Sequence, residues 1–415
     1  MKKNVLWNTF GSVYYSLCQW VMTLIVVRFT AGYNDAGMLG LAMTVTNSFA
    51  TVAFFGMRNF QISDVTGRYS DEEYVMSRRI TAILSFALCA LYLVFIKSTG
   101  PEIICVLLYM LIRMIESMED VYQGIFQKSD RFDIIGISFI LRGTLQIVSF
   151  VAVYAATKLL WPAFAVMTVT NLLVMAVFDI RLLKKLAGLG RVVWTGSMIS
   201  LYKECVLLVI YQFAVNSLAT VVRVAIKDQL GPDVLGIYSS VASPTVIITL
   251  LGVVIFTPFI PGFARMYNEG AQEEFKKKIY KIILILLGCF ALINVGGLVV
   301  GRWGLGLLYG EGIAEHVDLL LPLLWCTFFF AALSLFAGLL IAMRKIKILF
   351  LGAVVGLVAA YILCRPFIEL FGANGASYAQ ALVELVLMTF YMNVVIIGIN
   401  KDPAPLSPTN EDREE

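Results

Sequence analysis

Apolar stretches of roughly twenty residues, the length that crosses a bilayer as a helix, recur along the whole chain. They fall at 6–28, 36–57, 77–97, 102–126, 133–157, 159–180, 205–226, 234–260, 279–301, 317–341, 346–364 and 373–399. A bilayer offers no water to pair with backbone N–H and C=O groups, so spans of this length are α-helices that keep their hydrogen bonds internal. The chain is therefore predicted to be an all-α, polytopic membrane protein of about 12 transmembrane helices. Composition agrees, with 60% hydrophobic and 14% charged residues against about 45–50% and about 25% in soluble domains.

Charge sets the expected orientation. With both termini cytoplasmic, the outer loops hold Arg28, Lys97, Lys158, Arg223, Lys227, Arg302 and Arg365, while Arg113 and Arg142 lie inside spans; the other 23 of the 32 lysines and arginines then face the cytoplasm. This is the positive-inside bias, and it accounts for a net charge of +4 without nucleic acid as a partner. The seven cysteines stand in apolar runs with no C-x-x-C, and His316 is the single histidine. Neither disulfides nor a metal site is expected. No P-loop, H-E-x-x-H or G-x-S-x-G pattern occurs, so no enzyme is predicted, no cofactor is called for, and transport must draw on an ion gradient or on downstream consumption of the substrate.

The fourth stretch carries charges in its middle. Arg113 sits roughly 16 Å into it, near the bilayer centre. At 100° per residue Arg113, Glu116, Asp120, Gln123 and Gln127 fall on one side. Each central Arg, Asp or Glu costs on the order of 2.5–3.5 kcal/mol on insertion scales, so this face must line water or protein. The stripe reads as a transport pathway, the alternative being an Arg113–Glu116 pair that only ties helices together.

Further polar faces lie on the first span (Asn8, Ser12, Tyr15, Gln19, Thr23), the seventh (Gln212, Asn216, Thr220, Arg223) and the fifth (Arg142, Gln146), with Asn47, Asn171 and Glu384 completing the set. Arginine grips phosphate oxygens with a planar fork, and a carboxylate at low dielectric can titrate or hold Na⁺. Arg113, Arg142, Gln19, Asn47, Gln146, Gln212, Asn216 and Arg223 are thus candidate contacts to a phosphate-bearing substrate. Glu116, Glu119, Asp120 and Glu384 are candidates for coupling to H⁺ or Na⁺.

The halves repeat. Val26-Val27-Arg28 and Val221-Val222-Arg223 end the first and seventh spans, and the turns Asp35-Ala36-Gly37 and Asp233-Val234-Leu235-Gly236 follow. Glu72-Glu73-Tyr74 and Glu273-Glu274-Phe275 then precede the third span of each half. Copies six spans apart share one membrane orientation, which predicts an axis near the membrane normal. The expected units are a six-helix lobe over 1–180, an amphipathic cytoplasmic linker over 181–204, a second six-helix lobe over 205–399 and a disordered cytoplasmic tail over 400–415.

With these turns, with Phe55-Gly56-Met57-Arg58 closing the second span and with Leu230-Gly231-Pro232-Asp233-Val234-Leu235-Gly236-Ile237-Tyr238 entering the eighth, the chain resembles a known family. It is similar to the polysaccharide transporters of the multidrug/oligosaccharidyl-lipid/polysaccharide exporter superfamily, the O-antigen flippase type. The resemblance implies two pseudo-symmetric lobes around a central cavity that opens alternately to each side of a bacterial cytoplasmic membrane. It also implies an undecaprenyl-pyrophosphate-linked oligosaccharide as substrate, its pyrophosphate gripped by cavity arginines, of which Arg28 and Arg58 sit at the motif positions, and polysaccharide assembly enzymes as partners. Gly32-Tyr33-Asn34 stands where the family usually shows Leu-Gly-Pro, and twelve spans instead of fourteen argue against its lipid II flippase branch. The alternatives are a cation-coupled multidrug exporter of the same superfamily and a membrane-embedded polysaccharide polymerase or glycosyltransferase.

Overall fold

The computed structural model describes residues 2–30, 32–64, 68–187, 190, 194–246, 248 and 260–401, and no strand occurs among them. The first half contains α1 (Lys2–Phe29), α2 (Asn34–Phe54), the short α3 (Met57–Ser63), α4 (Asp71–Phe95), α5 (Gly100–Lys128), α6 (Phe132–Thr157) and α7 (Leu160–Val174). A π-helical turn, Met175–Asp179, carries α7 on into α8 (Ile180–Ala187). The second half contains α9 (Ser197–Leu230), α10 (Pro232–Ala242), α11 (Ile260–Asn268), α12 (Gln272–Tyr309), α13 (Leu320–Ala342), α14 (Ile346–Phe371) and α15 (Ala373–Lys401).

Among the described residues, ten helical stretches are long and apolar enough to cross a membrane. The charged α5 is not among them, though its 29 residues are long enough to cross. Residues 249–259 of the predicted eighth span and residues 402–415 of the predicted tail lie outside the described residues. Within the predicted linker, 181–187 continue α8 and 197–204 begin α9, a helix of 34 residues.

Local chemistry sets several helix ends. Ser70 and Glu73 form a capping box at the start of α4, each side chain bonding the other's backbone N–H at 3.2 and 2.8 Å, which satisfies two of the orphan donors of that terminus. Phe55 and Gly56 both take positive φ, 48° and 61°. This left-handed step ends α2 and turns the chain into α3, which presents Arg58.

Packing repeats between the halves. In the first, α1 packs on α6, α6 on α7, α5 on α7, α4 on α5 and α2 on α5. In the second, α9 packs on α14, α14 on α15, α13 on α15, α12 on α13 and α11 on α13. Counted as spans 1–6 and 7–12, these pairs correspond one to one, so the protein is two pseudo-symmetric six-helix lobes around a central cavity.

The apolar cores show how the lobes meet. The end of the bundle holding Arg58, Arg131, Arg265 and Lys276 is here the basic end, the opposite one the neutral end. Near the neutral end a single core joins both lobes, with Val26, Leu39, Leu93 and Tyr154 beside Leu235, Tyr309, Leu320 and Ile368. Toward the basic end the cores separate. One holds Tyr74, Phe126, Ile135 and Leu183, joined by Leu201, Cys205 and Val209 of α9; the other holds Phe275, Phe336, Leu349 and Tyr391 of the second lobe. Among the described residues, then, one apolar core joins the lobes at the neutral end, and toward the basic end the cores are separate, with α9 packed into that of the first lobe.

Candidate functional site

The polar stripe on α5 divides between two networks, because helices pack on both of its flanks. The first lies deep in the first lobe between α1, α5 and α6. Glu116, 8% exposed, accepts hydrogen bonds from the Tyr15 hydroxyl, from Arg113 Nη1 at 2.7 Å and from Gln19 Nε2 at 3.4 Å. Gln146 Nε2 donates to the Tyr15 hydroxyl at 3.2 Å. One helical turn on, Glu119 pairs with Arg142, each side chain 1% exposed. The Arg142 guanidinium also lies over the rings of Tyr15 and Phe139, 5.3 and 4.9 Å from their centroids. Asp179, 1% exposed, ends the π-helical turn of the same lobe. A π turn re-aims side chains relative to an α-helix, and such turns recur at functional sites. Glu119 Oε1, Asp179 Oδ2, and Arg142 Nε and Nη2 have no hydrogen-bond partner among the described residues.

The second network sits toward the basic end, where α3, α4 and α5 meet. Asp120 accepts from Arg58 Nη1 at 2.9 Å and Arg78 Nη2 at 2.8 Å. Arg58 also donates to Gln123 and Gln127 at 2.8 and 3.2 Å. Arg78 is fully buried and donates to the carbonyls of Ala53 and Phe54. Arg78, counted by sequence with the cytoplasmic charges, and Asp179 are both buried in the first lobe. The signal for Arg78 was its place at the first residues of an apolar run. Asp120→Asn removes the anion between two guanidinium groups, at about 1.5–3 kcal/mol for lost charge-assisted hydrogen bonds. We expect a lower melting temperature in detergent; an unchanged one would show that Asp120 does not hold Arg58 and Arg78.

The other predicted positions stand apart. Arg28 lies at the neutral end, donating to the carbonyls of Leu308 and Leu307 at 3.0 and 2.7 Å. It ties α1 to α12 and joins neither network. Asn47 is exposed on α2, a helix packed against α4, α5, α9 and α10. In the second lobe Asn216 Nδ2 donates to the Gln212 carbonyl at 3.0 Å, and Arg223 Nε has no partner among the described residues. Glu384 is fully buried, accepts from Gln380 Nε2 at 2.8 Å, and forms no ion pair among the described residues.

Polar ties close the neutral end between the lobes. Lys227 Nζ and Glu102 Oε2 pair at 3.0 Å, the Tyr33 N–H donates to Asp233 at 3.3 Å, and the Thr23 and Ser243 hydroxyls meet at 2.8 Å. At the basic end the ties run from the first lobe to the start of α9 and the residues before it: Arg68 to Glu204 at 2.9 Å, and Thr195 and Ser197 to Glu73.

No family model matches the chain. It is 23% identical, over 396 residues, to the capsular polysaccharide biosynthesis protein CapF of Staphylococcus aureus, covering 94% of this chain and 98% of that protein. It superposes on an inward-facing multidrug resistance MATE family transporter of the MOP superfamily with a TM-score of 0.68 at 13% identity, covering 92% and 94% of the two chains. The chain shares the fold of that transporter. The lipid II flippase MurJ, in an inward closed conformation, gives 0.66 at 10% identity over 95% of this chain and 91% of that one. The resemblance expected from the turn motifs is thus met in sequence and in fold, and the chain is a multi-pass membrane protein.

Proposed function

We propose that the protein carries a lipid-linked oligosaccharide from the inner to the outer leaflet of a bacterial plasma membrane for surface polysaccharide biosynthesis. The observation that carries this reading is that, among the described residues, the lobes share one apolar core at the neutral end and have separate cores toward the basic end. The positive-inside pattern makes the basic end cytoplasmic, so the lobes are least joined on the side where the substrate is made. Support for the substrate comes from the polysaccharide biosynthesis name of the Staphylococcus aureus relative and the flippase name of MurJ.

In this reading Arg58 and Arg113 take the pyrophosphate, since their side chains keep 26% and 15% exposure, whereas Arg142 at 1% is held in its pair. The buried carboxylates Glu119, Asp179 and Glu384 are the groups that exchange a proton or Na⁺ during the cycle, and assembly enzymes consume the product. In a strain lacking this gene, Arg58→Ala and Arg113→Ala copies should reach the membrane yet restore less than about a tenth of surface polysaccharide, consistent with loss of charge-assisted phosphate contacts. Full polysaccharide from both variants would defeat the reading. A second reading, a cation-coupled multidrug exporter, is favoured by Glu384, an acidic group with no cation beside it among the described residues. Drug hypersensitivity of the deletion strain with normal polysaccharide would select it.

A further inference from the structure

Two hydroxyl-lined seams join the lobes, and pseudo-symmetry makes each a control for the other. Along one, α9 of the second lobe meets α2 of the first. The Thr220 and Ser48 hydroxyls meet at 2.8 Å, and Thr220 also donates to the Thr44 carbonyl at 3.2 Å. Along the other, α1 of the first lobe meets α10 and α12 of the second. The Thr23 and Ser243 hydroxyls meet at 2.8 Å, and the Tyr309 hydroxyl lies beside both of them and beside Trp20. Thr44 and Ser243 are counterparts, each seven residues beyond its turn glycine, Gly37 or Gly236.

The seams differ in two ways. In the first, α2 runs unbroken through Thr44 and Ser48, and the Ser48 and Thr220 hydroxyls have partners. In the second, α10 gives way to a 3₁₀ turn, Ser243–Thr245, with Pro244 inside it. Such turns mark hinges, and broken helices where two repeats meet are places where transporters bind their substrates. Tyr309 is 5% exposed, yet neither its hydroxyl nor the buried Trp20 Nε1 has a hydrogen-bond partner among the described residues.

The chemistry of the second seam selects a ligand class. Trp20, Thr23, Ser243 and Tyr309 include no acid or base that is charged at neutral pH, so an ionic group finds no counter-charge among them. An indole N–H only donates, which disfavours a metal cation, whereas hydroxyls both donate and accept. A sugar ring fits this set, with hydroxyls for the polar atoms and C–H faces for the aromatic rings. Its place fits as well. Gln19 donates to Glu116, the partner of Arg113, and Thr23 stands one helical turn further along α1, a rise of roughly 6 Å. A sugar joined to a pyrophosphate on Arg113 thus reaches the seam. The Thr23–Ser243 bond joins different lobes, so it breaks when the neutral end parts, and hydroxyls freed at low dielectric need new partners.

We propose that this seam is a sugar-sensing gate: Trp20, Thr23, Ser243 and Tyr309 bind the first sugar of the lipid-linked glycan as the lobes part, so that the sugar, rather than the lipid, favours the open neutral end. The proposal rests on the flippase reading and leaves the pyrophosphate on Arg58 and Arg113. A ligand shifts a two-state equilibrium only by binding one state better. Here the sugar contacts belong to the open state, so a carrier lipid without sugar occupies the arginines and leaves the end shut.

The test uses the purified full-length protein with undecaprenyl pyrophosphate, bare or carrying one N-acetylglucosamine or one galactose. Binding is read by native mass spectrometry, and opening by the distance between spin labels at the exposed Phe29 and Leu307 positions. All three lipids should bind, and at least one sugar-bearing form should raise the ratio of open to closed protein at least about fivefold over the bare lipid, the lower end of ordinary coupling between sites. Thr23→Val/Ser243→Ala/Tyr309→Phe should bind the bare lipid as the parent does and lose that difference. Ser48→Ala/Thr220→Val, on the other seam, should keep it. Equal opening by sugar-bearing and bare lipids, an unchanged difference in the triple variant, or equal loss in both variants would overturn the gate. Should the triple variant bind no lipid, Tyr309→Phe alone, which removes one oxygen, decides by the same criterion. If no lipid binds the parent, the flippase reading falls and the gate with it; if all bind and open it alike, the flippase reading stands and the gate falls.

Discussion

Replacing Arg142 by alanine is expected to destabilise the protein by about 3–5 kcal/mol, the cost of leaving one member of a buried ion pair unpartnered. That is a large share of a folding stability of about 5–15 kcal/mol. The expectation follows from where the pair sits. Both side chains are 1% exposed, so Glu119 has no water to turn to when its partner goes. The substitution also removes the guanidinium from the rings of Tyr15 and Phe139. The pair is itself under-satisfied, since Glu119 Oε1 and Arg142 Nε and Nη2 lack partners among the described residues. An apolar pair of similar volume should then do as well or better. Glu119→Leu/Arg142→Met should therefore melt near or above the parent in detergent while Arg142→Ala melts far below it. If Arg142→Ala melts with the parent, water reaches the site and the pair carries no stability. If the apolar double variant is stable but restores no surface polysaccharide, the charges serve the transport cycle.

Some of this architecture could be read from the residues and some could not, for physical reasons. Span number needs only length and hydropathy, and it emerged without reference to partners. The charged α5 is the instructive exception, because its helix length was legible while its stripe was not one surface. Angular position on an ideal helix places Arg113 beside Asp120. It does not say that Arg113 meets Tyr15 and Gln19 of α1 through Glu116 while Asp120 meets Arg58 of α3 and Arg78 of α4. Arg78 escaped notice because hydropathy starts the third span at 77, in the headgroup zone, whereas the capping box at Ser70 starts α4 at Asp71 and carries Arg78 two turns in. Asp179 escaped because a π turn breaks the 3.6-residue period on which stripes are counted. The duplicated turns were visible as copies, but sequence gives no sign that the copies touch.

That contact supports the other large prediction. Gly37 and Gly236 stand in equivalent turns of the two lobes, and α2 and α10 pack where they meet. A side chain on Gly37 would run into the Pro232 carbonyl and the Gly236 backbone, and one on Gly236 into the Tyr33 carbonyl. The obstacles are backbone, so the lobes themselves would have to move apart. Gly37→Leu and Gly236→Leu should each disfavour the joined neutral end by about 1–3 kcal/mol, the usual cost of overpacking, which is roughly a 5- to 150-fold shift between states. Together they approach the roughly 5.5 kcal/mol that inverts a 99:1 population. Spin labels on the exposed Phe29 and Leu307 positions, either side of the Arg28 tie, should report a longer distance in the double variant, with polysaccharide export lost and the purified protein still monodisperse. A fixed distance with export intact would mean that the neutral end never has to part, and that substrate leaves by some route other than between the lobes.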